Sequence, residues 1–141
     1  MKKIFISTSS FADFSKEPLE LLEKNNIQFV LNNKGRKLSL EETSSILKKY
    51  DAVIAGTETY SKEILQKMPH LKVISRLGVG IDNIDLINAK QKGIKIYKTQ
   101  TTPAPAVAEL VLGLMLDLAR KISHQNNTLK SGTWKKEMEN L

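Results

Sequence analysis

The feature that most constrains this chain is a regular alternation of short Ile- and Val-rich runs with longer amphipathic stretches. The runs are Lys3–Ser7, Gln28–Leu31, Ala52–Ala55, Val73–Ser75 and Ile94–Tyr97, each bounded by polar residues or glycine. Brief apolar runs of this kind are how strands read when a parallel sheet is covered on both faces. Between them the spacing predicts helices over Lys16–Asn25, Leu40–Lys49, Lys62–Met68 and Asn83–Gln91. Parallel strands joined by right-handed crossovers form an open, doubly wound α/β sheet. A chain of 141 residues has material for one such core and is too short for two separate domains of ordinary size.

Start and stop signals agree with this division. Ser39 and Glu42 have the spacing of a capping box at the second helix. Asn25 or Asn26 suits the end of the first helix, Pro69 stops the third and Gly93 the fourth. The last third differs. One long C-terminal helix is expected from about Pro105 to Lys130, bent near Ser123. Val107, Leu110, Val111, Leu114 and Leu118 form one stripe on it, and Ala108, Leu112 and Met115 widen the apolar surface well beyond one face. Such a helix either sinks deeply into its own core or meets another domain or subunit. The expected division is residues 1–131 as an incomplete domain, followed by 132–141 as an extended exit segment containing Trp134.

Composition excludes several functions. The net charge is +7, but only Arg36, Arg76 and Arg120 are arginines, and the 19 lysines are scattered in ones and twos. Readers of bases and phosphates exploit the planar guanidinium fork, so no nucleic-acid partner is expected. The absence of cysteine removes disulfides, thiolate catalysis and cysteine-bound zinc. The most apolar segment, Ala104 to Ala119, contains Glu109 and Asp117 and is too short to span a bilayer; a soluble, cytoplasmic protein with no membrane partner is expected. His70 and His124 read as surface histidines, Glu109 as a helix-surface or interface acid, and Asp82-Asn83-Ile84-Asp85 as a capping run. A phosphoreceiver would need acids after the first and third strands, where this chain has Ser7-Thr8-Ser9-Ser10 and Gly56-Thr57.

The simplest strand order for five such units is 2-1-3-4-5, the flavodoxin-like arrangement, and ligands of open parallel sheets bind beyond the carboxyl ends of the strands. That order sets Thr8–Ser10, Gly56–Thr59 and Arg76–Gly80 around one crevice. Arg76-Leu77-Gly78-Val79-Gly80 is the most informative of these loops. Its two glycines allow a sharp turn with successive N–H groups pointing outward, and a helix N-terminus is expected at about Asp82-Asn83. The loop is either an ordinary strand-to-helix turn or a site for a small carboxylate or phosphate, with Arg76 as the nearby cation. It is not a dinucleotide fingerprint, because position 83 is Asn83 where a third glycine would fall.

Leu71-Lys72-Val73-Ile74-Ser75-Arg76-Leu77-Gly78-Val79-Gly80-Ile81-Asp82-Asn83-Ile84-Asp85 resembles the signature of the D-isomer-specific 2-hydroxyacid dehydrogenases. So do Val107-Ala108-Glu109-Leu110-Val111-Leu112-Gly113-Leu114-Met115-Leu116, Ala119-Arg120 and Gly132-Thr133-Trp134, while Tyr50-Asp51-Ala52-Val53-Ile54 fits the third strand of the family's substrate domain. The resemblance covers nearly the whole chain and is greatest to phosphoglycerate dehydrogenases and their near relatives. It implies an NAD-dependent oxidation of a D-2-hydroxy acid, or reduction of the 2-keto acid, with the carboxylate held at Gly78, Val79 and Gly80. It also implies a homodimer through the Val107–Leu118 helix. The substrate-site candidates are therefore Arg76, Gly78, Val79, Gly80, Gly56 and Thr57. The family's dinucleotide domain begins just after the position of Leu141, and its catalytic arginine, glutamate and histidine lie within or beyond it. No catalytic residue is thus expected here, NAD is expected to be bound by that other domain, and this chain alone is expected to be inactive. Two departures stand out. Gly56-Thr57 falls where phosphoglycerate-specific members often carry arginine, and Pro103 falls where the family often has asparagine. The alternative reading is a non-catalytic carboxylate-binding or dimerisation module.

Overall fold

The computed structural model describes residues 2–134. Strands β1 (Lys3–Ile6), β2 (Gln28–Leu31), β3 (Ala52–Ala55), β4 (Val73–Arg76) and β5 (Lys95–Lys98) alternate with helices α1 (Glu17–Lys24), α2 (Leu40–Leu47), α3 (Lys62–Gln66) and α4 (Leu86–Gln91). The sheet is parallel throughout in the order β2-β1-β3-β4-β5, as the alternating pattern predicts. The register places Phe5 beside Val53 and Val53 beside Ile74, so the three central strands meet along one row. Ile6, Val53 and Ile74 are essentially inaccessible, as are Leu47, Leu65 and Met68 from the connections that flank the strands. Removing any of these large side chains leaves a cavity that a four-residue strand has little freedom to collapse into.

The chain divides into two compact units, Met1–Thr101 and Thr102–Leu141. In the first, local chemistry sets the element ends. Ser39 Oγ accepts from the Glu42 N–H at 3.2 Å while the Glu42 carboxylate accepts from the Ser39 N–H at 2.9 Å, which completes the expected capping box. Helix α4 begins at Leu86, three residues later than expected. The reason is that Tyr60 forms a parallel bridge to Ile84, donating its N–H to Asn83 O at 2.8 Å and accepting from the Asp85 N–H at 2.9 Å. These contacts keep Ile84 and Asp85 out of the helix, after a turn closed by the Ile84 N–H on Ile81 O at 3.1 Å, and Asp85 then caps the helix by accepting from the Asn88 N–H at 2.9 Å. That backbone bond is the main cause of the lowered Asp85 pKa.

In the second unit the expected single helix is two: α5 (Ala104–Arg120) and α6 (Ile122–Lys130). Lys121 takes a left-handed conformation (φ 51°, ψ 39°), which closes α5, and the bend expected near Ser123 falls there instead. Asp117 holds the junction, accepting from the Ser123 N–H at 2.6 Å and the Ser123 hydroxyl at 2.9 Å. A carboxylate one turn before the break can satisfy a donor at the start of the next helix, which a regular 3.6-residue repeat gives no sign of. The apolar side chains of α5 are exposed. Most of the expected exit segment 132–141 lies outside the described residues, and Trp134 within it is exposed.

Candidate functional site

At the carboxyl ends of β1, β3 and β4 the backbone opens into a cavity of about 170 Å³. It is lined by Ser7, Thr8 and Ser9 after β1, by Gly56, Thr57 and Glu58 after β3, and by Arg76 and Leu77 at the end of β4; Lys37 joins from the segment before α2. This is the crevice that the strand order predicts, because β1, β3 and β4 are consecutive neighbours. Of the sequence-derived candidates, Gly56, Thr57 and Arg76 come together in the lining. Gly78, Val79 and Gly80 continue the β4 loop just beyond it.

The floor is polar and buried. Ser7 is 1% exposed and Glu58 2%. The Ser7 hydroxyl donates to Glu58 Oε2 at 2.7 Å, and the Gly56 N–H donates to the same oxygen at 3.0 Å. Glu58 Oε1 meets no donor among the described residues. Gly56 has to be small here. A Cβ at that position would lie 2.9 Å from Thr8 Oγ1 and 3.2 Å from Glu58 Oε2. Three further polar atoms at this end of the sheet are buried without a partner among the described residues: Thr8 Oγ1, Tyr60 OH and Arg76 Nε. Buried polar groups are nearly always paired, so Thr8 Oγ1 and Arg76 Nε, both on residues of the lining, are candidates for contacts with a bound group. Burial first, and then the charge of Glu58, hold the Tyr60 phenol well above the usual tyrosine range. It stays neutral and serves as a fixed hydroxyl.

Arg76 ends β4, and its Nη1 donates to the Leu77 carbonyl, laying the guanidinium along the glycine loop. Gly78 has φ +150°, and a Cβ there would collide with that guanidinium. The Gly78 N–H is spoken for, donating to Arg76 O at 3.0 Å and Thr99 Oγ1 at 3.1 Å. The Val79 and Gly80 N–H groups meet no acceptor among the described residues. The loop thus offers two adjacent free amides beside a guanidinium, a combination suited to a carboxylate. The expected helix N-terminus at Asp82-Asn83 is not part of it, since α4 starts at Leu86.

Glu58 and Thr8 were not singled out by sequence reasoning, although both lie in the loops that it set around the crevice. The signal for Glu58 was its position: a carboxylate two residues past a buried strand, next to a glycine, in a loop that faces inward. Among the described residues no group of three or more His, Cys, Asp or Glu side chains could hold a metal ion. No described helix is long and apolar enough to cross a membrane.

Residues 5–135 match the model of the D-isomer specific 2-hydroxyacid dehydrogenase catalytic domain. The chain belongs to that family. Among its relatives, the hydroxypyruvate reductase of Thermotoga maritima is 37% identical over 122 residues, covering 82% of this chain and 40% of that protein. The D-3-phosphoglycerate dehydrogenase of Archaeoglobus fulgidus is 32% identical over 124 residues, covering 87% of this chain and 23% of that protein. The chain therefore spans well under half the length of either dehydrogenase-family relative. The NAD+-bound 3-phosphoglycerate dehydrogenase of Entamoeba histolytica superposes with a TM-score of 0.69 at 27% identity, over 98% of this chain and 43% of that one. The D-lactate dehydrogenase of Escherichia coli, 22% identical, shares the fold with a TM-score of 0.72 over 96% of this chain and 42% of that one.

Proposed function

We propose that this chain is the substrate-binding part of an NAD-dependent oxidoreductase acting on the CH–OH group of a D-2-hydroxy acid, a cytoplasmic enzyme that pairs through α5. The observation that carries this reading is the pair of unpartnered amides at Val79 and Gly80 beside Arg76, in a chain of the 2-hydroxyacid dehydrogenase family. The two N–H groups hold the substrate carboxylate by charge-assisted hydrogen bonds, and Arg76 adds positive potential next to them.

The β4 loop and the cavity beside it do not fit a dinucleotide. The β4 loop lacks the third glycine of a pyrophosphate cradle, the segment 81–84 separates it from α4, and the cavity is about 170 Å³, below the ~300–1,000 Å³ of ordinary small-molecule sites. No hydride-transfer step is assigned to residues of this chain. Their part is to grip the acid and fix its orientation, with NAD and the proton-transferring groups supplied from outside the described residues.

The test is an amide NMR titration of the chain with glyoxylate, the smallest 2-keto acid. The Val79 and Gly80 resonances are expected to shift together and saturably, with no NADH consumption on adding cofactor. Shifts confined to other loops, or none, would overturn the carboxylate site; turnover by the chain alone would overturn the assignment of hydride transfer elsewhere.

A further inference from the structure

The buried carboxylate at the floor of the cavity is unexplained by carboxylate binding, since an anion gains nothing from a second anion. Glu58 is fixed by Ser7 and Gly56 through Oε2 alone, so its Oε1 is left to accept from whatever enters. Close by, Thr8 Oγ1 and Arg76 Nε are buried with no partner among the described residues. The cavity thus presents one acceptor that can only accept, one donor that can only donate, and one hydroxyl that can do either. A methyl group would leave all three unsatisfied. A phosphate would set its acceptor oxygens against Glu58 at like charge. An ammonium would meet Glu58 but face Arg76 and Lys37, both of which line the same small space. Among these substituents, a hydroxyl can donate to Glu58 Oε1 while its two lone pairs accept from Thr8 Oγ1 and Arg76 Nε, so it suits all three groups.

We propose that Glu58 is the specificity-determining residue of the site, selecting 2-hydroxy and 2-keto acids whose next carbon carries a free hydroxyl over those carrying a methyl or a phosphate. This rests on the carboxylate reading above and deepens it: Val79, Gly80 and Arg76 hold the common end of the ligand, and Glu58 with Thr8 reads the variable end. Gly56 makes the arrangement possible, because a side chain there would occupy the point at which Thr8 and Glu58 converge.

Three probes separate the possibilities: pyruvate, hydroxypyruvate and 3-phosphohydroxypyruvate, titrated by NMR into the whole chain. They share the 2-keto acid and differ only in the substituent. Hydroxypyruvate is expected to bind about tenfold tighter than pyruvate, the scale of one hydrogen bond to a charged group, and tighter than the phosphorylated acid. In Glu58→Gln the amide oxygen can still accept from Gly56 and Ser7, but the charge is gone; the ratio of hydroxypyruvate to pyruvate affinity should fall several-fold, and the phosphorylated acid should gain relative to both. Equal binding of pyruvate and hydroxypyruvate by the unaltered chain, or preference for the phosphorylated acid, would overturn the role of Glu58 and leave the carboxylate site standing. Binding of none of the three would overturn both. Where Glu58→Gln fails to fold, equal binding of pyruvate and hydroxypyruvate by the unaltered chain still overturns the role.

Discussion

The Asn83 side chain donates from Nδ2 to the Glu58 carbonyl at 2.6 Å, and this bond ties the loop after β4 to the loop after β3. It works together with the backbone bridge between Tyr60 and Ile84, so two loops separated by about one crossover unit are held as one wall of the site. Asn83 is also the residue that breaks the dinucleotide glycine pattern. Its amide does a different job in the same place: it fixes Glu58, and through Glu58 the Ser7 and Gly56 contacts of the cavity floor. Asn83→Ala removes two partly buried hydrogen bonds, a short one to the Glu58 carbonyl and a long one to the Gly56 carbonyl at 3.4 Å, at a cost of about 1–2 kcal/mol. Urea denaturation should show that loss, and hydroxypyruvate affinity should fall more than pyruvate affinity because the variable end of the site is what loosens.

Gly78→Ala is expected to be the most damaging single-methyl change in the chain's loops. Its φ of +150° is one that L side chains rarely adopt, and the added Cβ would run into the Arg76 guanidinium. The backbone cost alone is about 1–3 kcal/mol. Displacing Arg76 also takes the cation away from the Val79 and Gly80 amides, so 2-keto acid binding should weaken together with the melting temperature. Gly35→Ala is the control: its φ is +64° and nothing lies within 4 Å of the added Cβ, so it should show only the left-handed backbone cost of about 1–2 kcal/mol and no change in binding.

Acid should weaken the fold at a surface point. Glu42 accepts from Arg36 at 2.8 and 2.9 Å, from the Ser39 N–H at 2.9 Å, and pairs with Lys34 at 3.1 Å. The Arg36 bonds, then the Ser39 N–H and Lys34, hold its pKa far below the ordinary value of 4.5. A depressed folded-state pKa contributes stability that is present above the unfolded value and is lost as pH falls toward the folded one. The loss should therefore begin below about pH 4.5 and deepen toward pH 2. Glu42→Gln should flatten the stability profile across that range, and because the cluster is exposed the effect should shrink as salt is raised.

The sheet was legible because its evidence is redundant: each strand from β1 to β5 carries a short apolar run, and the crossover rule leaves few ways to order them. The capping box at Ser39 and Glu42 was legible for the same reason, as a local signature that needs no tertiary partner. Glu58 was hidden because its burial depends on Ser7, 51 residues away, and on an amide at Gly56 that any sequence would possess. The late start of α4 was hidden likewise, since Asn83 and Asp85 look like helix-start residues until Tyr60 pairs with the backbone between them. Local pattern reads well where local forces decide, and fails where a distant residue claims a backbone group first.

The break between α5 and α6 gives a test of that kind. Lys121 sits in the left-handed region without a glycine's freedom, and Asp117 compensates by capping the next helix through Ser123. Asp117→Ala should cost about 1 kcal/mol, the usual worth of a helix cap. Lys121→Gly should instead stabilise the junction by a comparable amount, because the left-handed penalty disappears. Thermal melts of the two variants moving in opposite directions would confirm that the break is a built junction; equal and opposite shifts are not required, only the signs.

The apolar stripe of α5 is exposed along its whole length. Val107, Leu110, Val111, Leu114 and Leu118 recur at helical spacing and are all about half exposed or more, with Leu118 at 80%. A contiguous apolar surface of this kind is unusual on a chain that stays alone in water. In the proposed enzyme it is the surface through which two chains pair. Light scattering at tens of micromolar should then give twice the chain mass, falling toward a single chain on dilution. Leu110→Glu with Leu114→Glu places two charges in the middle of the stripe, where burial against a partner would be costly while exposure in the single chain is not. The double variant should be monomeric at every concentration, with the far-ultraviolet circular dichroism of the unaltered chain. A dimer that survives both substitutions would place the pairing surface elsewhere, and an unaltered chain that is monomeric throughout would remove it.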